Sequence, residues 1–380
     1  MENPNRLQSL DVFRGATIAA MILVNNPGSW ENSYAQLKHA AWHGWTFTDW
    51  IFPFFLFIVG VAMTFSFPRR LEQGQTKKQL LLHTLRRSAI LFALGLVVNG
   101  FPFGLIFNHE FSWATLRIPG VLQRIAICFL IASIIFMTTK VRVQIIWTVS
   151  LLAVYWLLIK LVPVPGFGAG VMAPTGNLCW YVDSTLLHGH TWIYAPAEGF
   201  DPEGIVSTIP AIATTLFGLL TGQWLRSERS REEKTVWMFV MGQAMLLLGV
   251  IFDNWLPINK NMWTSSYSIF MTGWALICLA TFYWLIDVKG WQRWAKPFTI
   301  FGMNAITVFV LSELLATLLW GITWKSADGA VNNLHDYIHG HLFLPLASVT
   351  NASLLFASAF VLAMYLVAWV MWKKRWFLKV

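Results

Sequence analysis

Charge is what this chain of 380 residues has least of: Asp, Glu, Lys and Arg together make up 12%, against about 25% in a soluble domain. So little charge excludes a globular surface bathed in water on all sides. It also removes one meaning of the net charge of +9, because nucleic-acid binding needs a basic soluble face and no segment offers one. Cysteine is scarce as well. Of the three, Cys128 and Cys278 fall within apolar runs, which leaves Cys179 without a partner and excludes a disulfide framework. No low-complexity linker or internal repeat divides the chain into parts.

What is abundant is apolar. Hydrophobic residues make up 56%, with 22 Trp and 29 Phe, a composition suited to a chain whose indoles lie at the headgroup level of a bilayer. Apolar runs of about 18 residues or more recur along the whole length, each able to cross a ~30 Å hydrocarbon core. The expectation is an all-α polytopic membrane protein with about ten transmembrane helices. The spans fall at 10–27, 47–67, 80–99, 119–138, 143–163, 205–225, 235–255, 264–286, 298–320 and 346–372. They form one membrane domain, 1–380, with a long external loop at 164–204 rich in Pro, Gly and aromatics.

The cations give this domain a direction. Twenty-one Lys and Arg, among them Arg14, Arg70, Arg86, Arg87, Arg231 and Lys373, fall on one side of the expected membrane. Five fall on the other (Lys38, Arg117, Lys160, Lys260 and Lys325), and Arg124 lies within a span. That excess is expected to hold both termini in the cytoplasm. Residues 1–8 are polar and no small-residue cleavage site follows them, so no cleavable signal peptide is expected.

With this orientation eight of the nine histidines, all but His83, lie on the external side. Two of them, His39 and His43, sit in YAQLKHAAWHGWTFTDW (34–50) at the mouth of the second span. Histidine there serves as a base, a nucleophile or a metal ligand, or is simply polar decoration of the interface. Thr48 and Asp49 have a plain reading as the N-cap of the second helix.

Polar groups inside the spans carry more weight, because ionisable side chains in a bilayer are costly and usually face a cavity or pathway. Asp11 and Arg14 share a helix face, Asn25 and Asn26 end the first span, Arg124 lies in the fourth, and Asn304 and Glu313 lie in the ninth. Together they suggest a polar cavity running from the cytoplasm towards the histidine loop. His335, His339 and His341, in LHDYIHGH, have one spacing compatible with zinc. Gly340 breaks any helix there and no acidic or thiol ligand beyond Asp336 is evident, so no metal is expected. His188 and His190 read as loop residues.

At this point a resemblance enters. LDVFRGATIAAMILVNNPG followed by LKHAAWHGWTFTDWIFPFFLFIVG, then RIPGVLQR, VPVPG, DPEGI, PINKNMWTSSY and GMNAI in order, resembles the transmembrane part of the heparan-α-glucosaminide N-acetyltransferase family, bacterial members included. The lysosomal member has a further luminal domain and an extra N-terminal span; their lack here agrees with ten spans, a cytoplasmic N-terminus and a bacterial inner (plasma) membrane. The resemblance implies transfer of an acetyl group from cytosolic acetyl-CoA to the amine of glucosamine, or of a glucosamine-terminated glycan, across the bilayer. It also implies a homodimer.

The family's active-site histidine matches His39 and its asparagine partner matches Asn25. His43 departs from the lysosomal enzyme, which has an asparagine there, and can tune the pocket or act as a second base. On this reading His39 is a general base or an acetyl acceptor, and Asn25 donates to the oxyanion. Arg14, Arg86, Arg87 and Arg124 stand near the CoA phosphates or along the channel, although for Arg86 and Arg87 the cation bias is the stronger explanation. Trp42, Trp45, His43, Asp49 and Glu313 are assigned to the sugar side, where Trp also serves as an ordinary interfacial anchor. Two rivals stand beside this reading: a secondary transporter for an amino sugar using the same cavity, and a membrane scaffold. The scaffold leaves Asn25, Arg124 and Glu313 inside spans unexplained.

Overall fold

In the computed structural model of the chain, residues 7–106, 111–326 and 329–377 are described; Arg6, His109 and Lys379 lie outside them. The apolar runs form helices, since backbone groups in hydrocarbon must be satisfied within the segment itself. The first five α-helices are α1 (Gln8–Asn25), α2 (Ile51–Glu72), α3 (Lys77–Gly100), α4 (Val121–Thr138) and α5 (Val141–Leu161). The short α6 (Leu178–Leu186) follows in the long loop, and α7 (Thr208–Leu225), α8 (Arg231–Asp253) and α9 (Ser265–Phe282) come next. The chain closes with α10 (Lys296–Met303), α11 (Ala305–Gly321), α12 (Leu334–Ile338) and α13 (Val349–Lys373). The only strands among the described residues are a small antiparallel pair, β1 (Thr323–Lys325) and β2 (Val331–Asn333), with Trp324 opposite Asn332.

Among the described residues, seven helical segments are long and apolar enough to cross a bilayer, or eight when the bent α10–α11 pair is counted as one span. Helices α1 and α7 occupy the first and sixth expected spans at 18 residues each, about 27 Å at the α-helical rise. Both are largely buried. Helix α1 packs against α2, α10 and α13, α3 against α4, and α7 against α2, α4, α5 and α9. Glycine permits the tightest of these crossings. A Cβ at Gly15 would meet the Phe298 carbonyl oxygen at 1.7 Å, and one at Gly302 would meet that of Asp11 at 2.2 Å. Small residues let membrane helices touch backbone to backbone, and here they lock α10 to α1.

Two expectations are corrected. The ninth span, read as one helix over 298–320, is broken at Asn304 and bends by 72°, with Asn304 at φ −123° and ψ 31°. The Gly15–Gly302 contact fixes α10 along α1, while α11 bends from that line and packs against α1, α3, α12 and α13. The second span starts on a 3₁₀ turn, Phe47–Trp50, whose N-cap is Thr46. Asp49 still contributes, as the third residue of the turn: its Oδ2 accepts the Thr46 N–H at 2.9 Å.

Candidate active site

Two cavities lie end to end inside the bundle. One, of about 350 Å³, is lined by Asn25, His39, Asp49, Arg117, Glu203 and Glu313, among others. The second, of about 420 Å³, is lined by Arg14, Arg70, His83, Arg87, Gly302 and Asn304, among others. They share Met21, Phe55, Val121, Leu122 and Phe309. An apolar neck therefore divides a histidine-loop cavity from a basic one. On α2 the two together run from Ile51 to Arg70, 19 residues or about 28 Å, close to the thickness of a hydrocarbon core.

The histidine-loop cavity is built from segments distant in sequence. Gly44 N–H donates to the Ile258 carbonyl at 2.7 Å, and Asn259 Nδ2 lies 3.3 Å from His43 Nδ1. These contacts hold the 34–50 loop against 257–260 and so bring Lys260 to the cavity wall. His39 Nδ1 lies 2.6 Å from Asp49 Oδ1, while Asp49 Oδ2 also accepts the Ala40 N–H at 3.1 Å. An ionised carboxylate only accepts, so the neutral ring keeps its proton on Nδ1 and leaves Nε2 as the basic nitrogen. The His39 side chain is 45% exposed, and the residue lines the cavity. One side of the ring opens on the cavity, but the surrounding protein strips much of its water; that desolvation, and then the Lys260 ammonium, hold its pKa below the ordinary 6.5 despite Asp49. Across the cavity, Asn25 Nδ2 approaches Glu313 Oε1 at 3.5 Å.

The rim is an ion network. Arg117 grips Asp201 through Nε at 2.8 Å and Nη2 at 2.7 Å, and also reaches Glu203. Asp201 and Glu203 are both buried. Burial alone would raise the Glu203 carboxyl, but Lys260, Arg117 and Arg124 outweigh it and hold the pKa down to about 2. The same carboxylates raise Arg117 above its ordinary value against the cost of burial. Trp192 lies under the Arg117 guanidinium, 5.5 Å from its Cζ, and with Trp30 supplies the indoles that line this cavity.

The comparisons bear on what such a pair of cavities belongs to. Residues 6–258 match the model of the heparan-alpha-glucosaminide N-acetyltransferase catalytic family. The chain is 30% identical to the human heparan-alpha-glucosaminide N-acetyltransferase over 381 residues, and 28% identical to the mouse protein over 380; each match covers 87% of this chain. It spans 56% and 57% of those relatives' lengths. The chain belongs to the heparan-α-glucosaminide N-acetyltransferase family.

In this member of the N-acetyltransferase family, the residues singled out by sequence divide sharply. Asn25, His39, Asp49 and Glu313 share the histidine-loop cavity, and Arg14 and Arg87 share the basic one. Arg86 is exposed on α3 and lines neither cavity. Arg124 also lines neither: it is buried, donating to the Gly204 carbonyl at 3.2 Å and to Ser207, with its guanidinium over Trp263. It thus braces the 201–207 turn. Trp42 donates to the Met172 carbonyl at 2.7 Å and packs on Phe200, and Trp45 lies among Trp50, Phe270 and Trp274. Neither of these indoles, nor His43, lines the cavity.

Two of the three histidines of the 335–341 segment, His335 and His341, have local hydrogen-bond partners. His335 is buried, stacks on Trp320 at 4.0 Å, and lies between Asp336 and the Pro27 carbonyl. His341 bonds the Tyr337 carbonyl, and His339 is edge-on to Phe356. Among the described residues no group of three or more His, Cys, Asp or Glu is arranged to hold a metal. Sequence reasoning missed Arg117, Asp201, Glu203, Lys260, Trp30 and Trp192 as a group. Four of them stand in RIPGVLQR, DPEGI and PINKNMWTSSY, so the signal was the motifs themselves.

Proposed function

We propose that the protein is a transmembrane N-acetyltransferase that moves an acetyl group from acetyl-CoA in the basic cavity to the amine of a glucosamine-type sugar in the histidine-loop cavity. The observation that carries this reading is the pair of cavities meeting at one neck, with cations at one end and a His–Asp pair at the other, in a chain of this family. Lengths agree. Arg14 and Asn25 are eleven residues apart on α1, about 16 Å of rise. A pantetheine arm is as long as about five extended residues, roughly 17 Å. Phosphates held by Arg14, Arg70 and Arg87 therefore leave the thioester just past the neck, beside Asn25.

The chemistry follows from the groups present. The sugar ammonium first loses one proton to solvent, and His39 Nε2 then takes a second from the attacking amine. The amine forms a C–N bond to the thioester carbonyl, the C–S bond breaks, and the proton returns to the departing thiolate. One N–H of Asn25 faces Glu313, and the second is free to stabilise the oxyanion. Glu313 and Glu203 offer charge to the amino group, and Trp30 and Trp192 offer faces to the sugar ring. The basic cavity is assigned to the cytoplasmic side of a bacterial inner membrane by the cation excess, and a homodimer is expected for this family.

The bent α10–α11 pair favours one alternative, an amino-sugar transporter, because broken helices mark transporter sites. Purified protein supplied with labelled acetyl-CoA and glucosamine separates the two. The expected result is labelled N-acetylglucosamine with stoichiometric release of CoA. Counterflow of unmodified glucosamine without acetylation would support the transporter.

A further inference from the structure

Asparagine at a helix N-cap ordinarily uses its side chain on the helix, accepting an N–H from the first turn. Asn304, the N-cap of α11, makes no such bond. It is 2% exposed, and both its Oδ1 and its Nδ2 are buried with no hydrogen-bond partner. Buried polar atoms in native proteins are nearly always paired, so two orphaned atoms on one side chain point to something that pairs them. Asn304 lines the basic cavity, together with Met303, Ala305 and Ile306. Met303 ends α10, and Ala305 and Ile306 begin α11, where the first N–H groups of a helix lack intrahelical acceptors.

Position narrows the choice. Asn304 follows Gly302, whose carbonyl is 3.5 Å from Arg14 Nη1. It precedes Phe309 of the neck by five residues, about 7 Å along the helix. The side chain therefore stands between the cations and the neck. A carboxamide offers a donor and an acceptor side by side. A secondary amide answers both at once, as an adenine edge also does, and a place between the cations and the neck favours the amide. A pantetheine arm carries two such amides between its phosphate-bearing end and its thioester.

We propose that Asn304 binds the pantetheine arm of the acyl donor by pairing with one of its amides. The inference rests on the reading of the basic cavity as the donor site. Fixing an amide at Asn304 sets how far the thioester projects through the neck towards His39 and Asn25, so the arm is recognised by its chemistry as well as its reach.

The test compares two ligands on the full chain in detergent: acetyl-CoA, and adenosine 3′,5′-bisphosphate, which has the phosphate-bearing end without the arm. Asn304→Leu keeps the branched shape and the number of side-chain heavy atoms and removes both polar atoms. Acetyl-CoA affinity is expected to fall by roughly 10- to 100-fold, with bisphosphate affinity changed by less than about twofold. The ligand-free melting temperature is expected to hold or rise, because two unmet polar atoms have been removed. Asn304→Ala repeats the comparison if leucine does not fit. Unchanged acetyl-CoA affinity, equal loss for both ligands, or a clear fall in ligand-free stability in both variants would overturn the assignment. Wild-type protein that binds neither ligand would remove the donor reading of the cavity, and this inference with it.

Discussion

Replacing His39 by alanine is expected to lower acetyl transfer by about 10²- to 10⁴-fold, the usual contribution of a positioned acid–base group. Acetyl-CoA binding is expected to stay within a few-fold of wild type, because the donor's phosphates are assigned to Arg14, Arg70 and Arg87 beyond the neck. The pH profile carries a second signature. The His39 pKa lies below 6.5 through burial and Lys260, so the ring is neutral at pH 7 and gains its proton only as pH falls through the lowered value. Wild-type kcat/KM is thus expected to lose activity on an acid limb that inflects below pH 6.5, and the alanine variant to lack that limb. Steady-state kinetics across pH, with donor affinity measured separately, check both. A variant that transfers acetyl groups at nearly the wild-type rate would remove His39 from the chemistry.

The second large effect is on stability. Arg117→Ala leaves Asp201 and Glu203 buried without the guanidinium that both engage. Breaking a buried ion network by removing one partner costs about 3–5 kcal/mol. Arg229, 62% exposed and paired with Glu233 four residues on, provides the contrast, since exposed pairs contribute about 1 kcal/mol or less. Thermal unfolding in detergent should therefore show a large loss for Arg117→Ala and almost none for Arg229→Ala. Arg117→Lys is expected to recover only part of the loss, because an ammonium cannot make the two parallel bonds that Asp201 accepts. Equal behaviour of the Arg117 and Arg229 variants would show that the network does not hold the 201–205 turn.

The helices were legible in the sequence because hydrocarbon thickness imposes a length on each apolar run. The break at Asn304 was not: it depends on the Gly15–Gly302 contact between helices distant in sequence. The site was legible where its residues share one stretch. His39 and Asp49 lie ten apart, and Asp49 serves two neighbours, one oxygen facing His39 and the other the Thr46 N–H. Asn25 and Glu313 stood out as polar groups within apolar runs. Arg124 stood out for the same reason, yet on α4 it faces the 201–207 turn while Gln123 beside it faces the cavity; one residue is about 100° of helix. Arg117, Asp201, Glu203 and Lys260 come from three loops. Nothing in their spacing announces that the chain folds them into one rim.

The central claim is that the acetyl group crosses the membrane while the donor and the sugar stay on their own sides. Proteoliposomes with acetyl-CoA sealed inside and glucosamine only outside test it most directly. Molecules oriented with the basic cavity inward are predicted to form N-acetylglucosamine in the external medium while free CoA accumulates inside. Product formed only when both substrates share one compartment, or unmodified glucosamine accumulating inside, would contradict it.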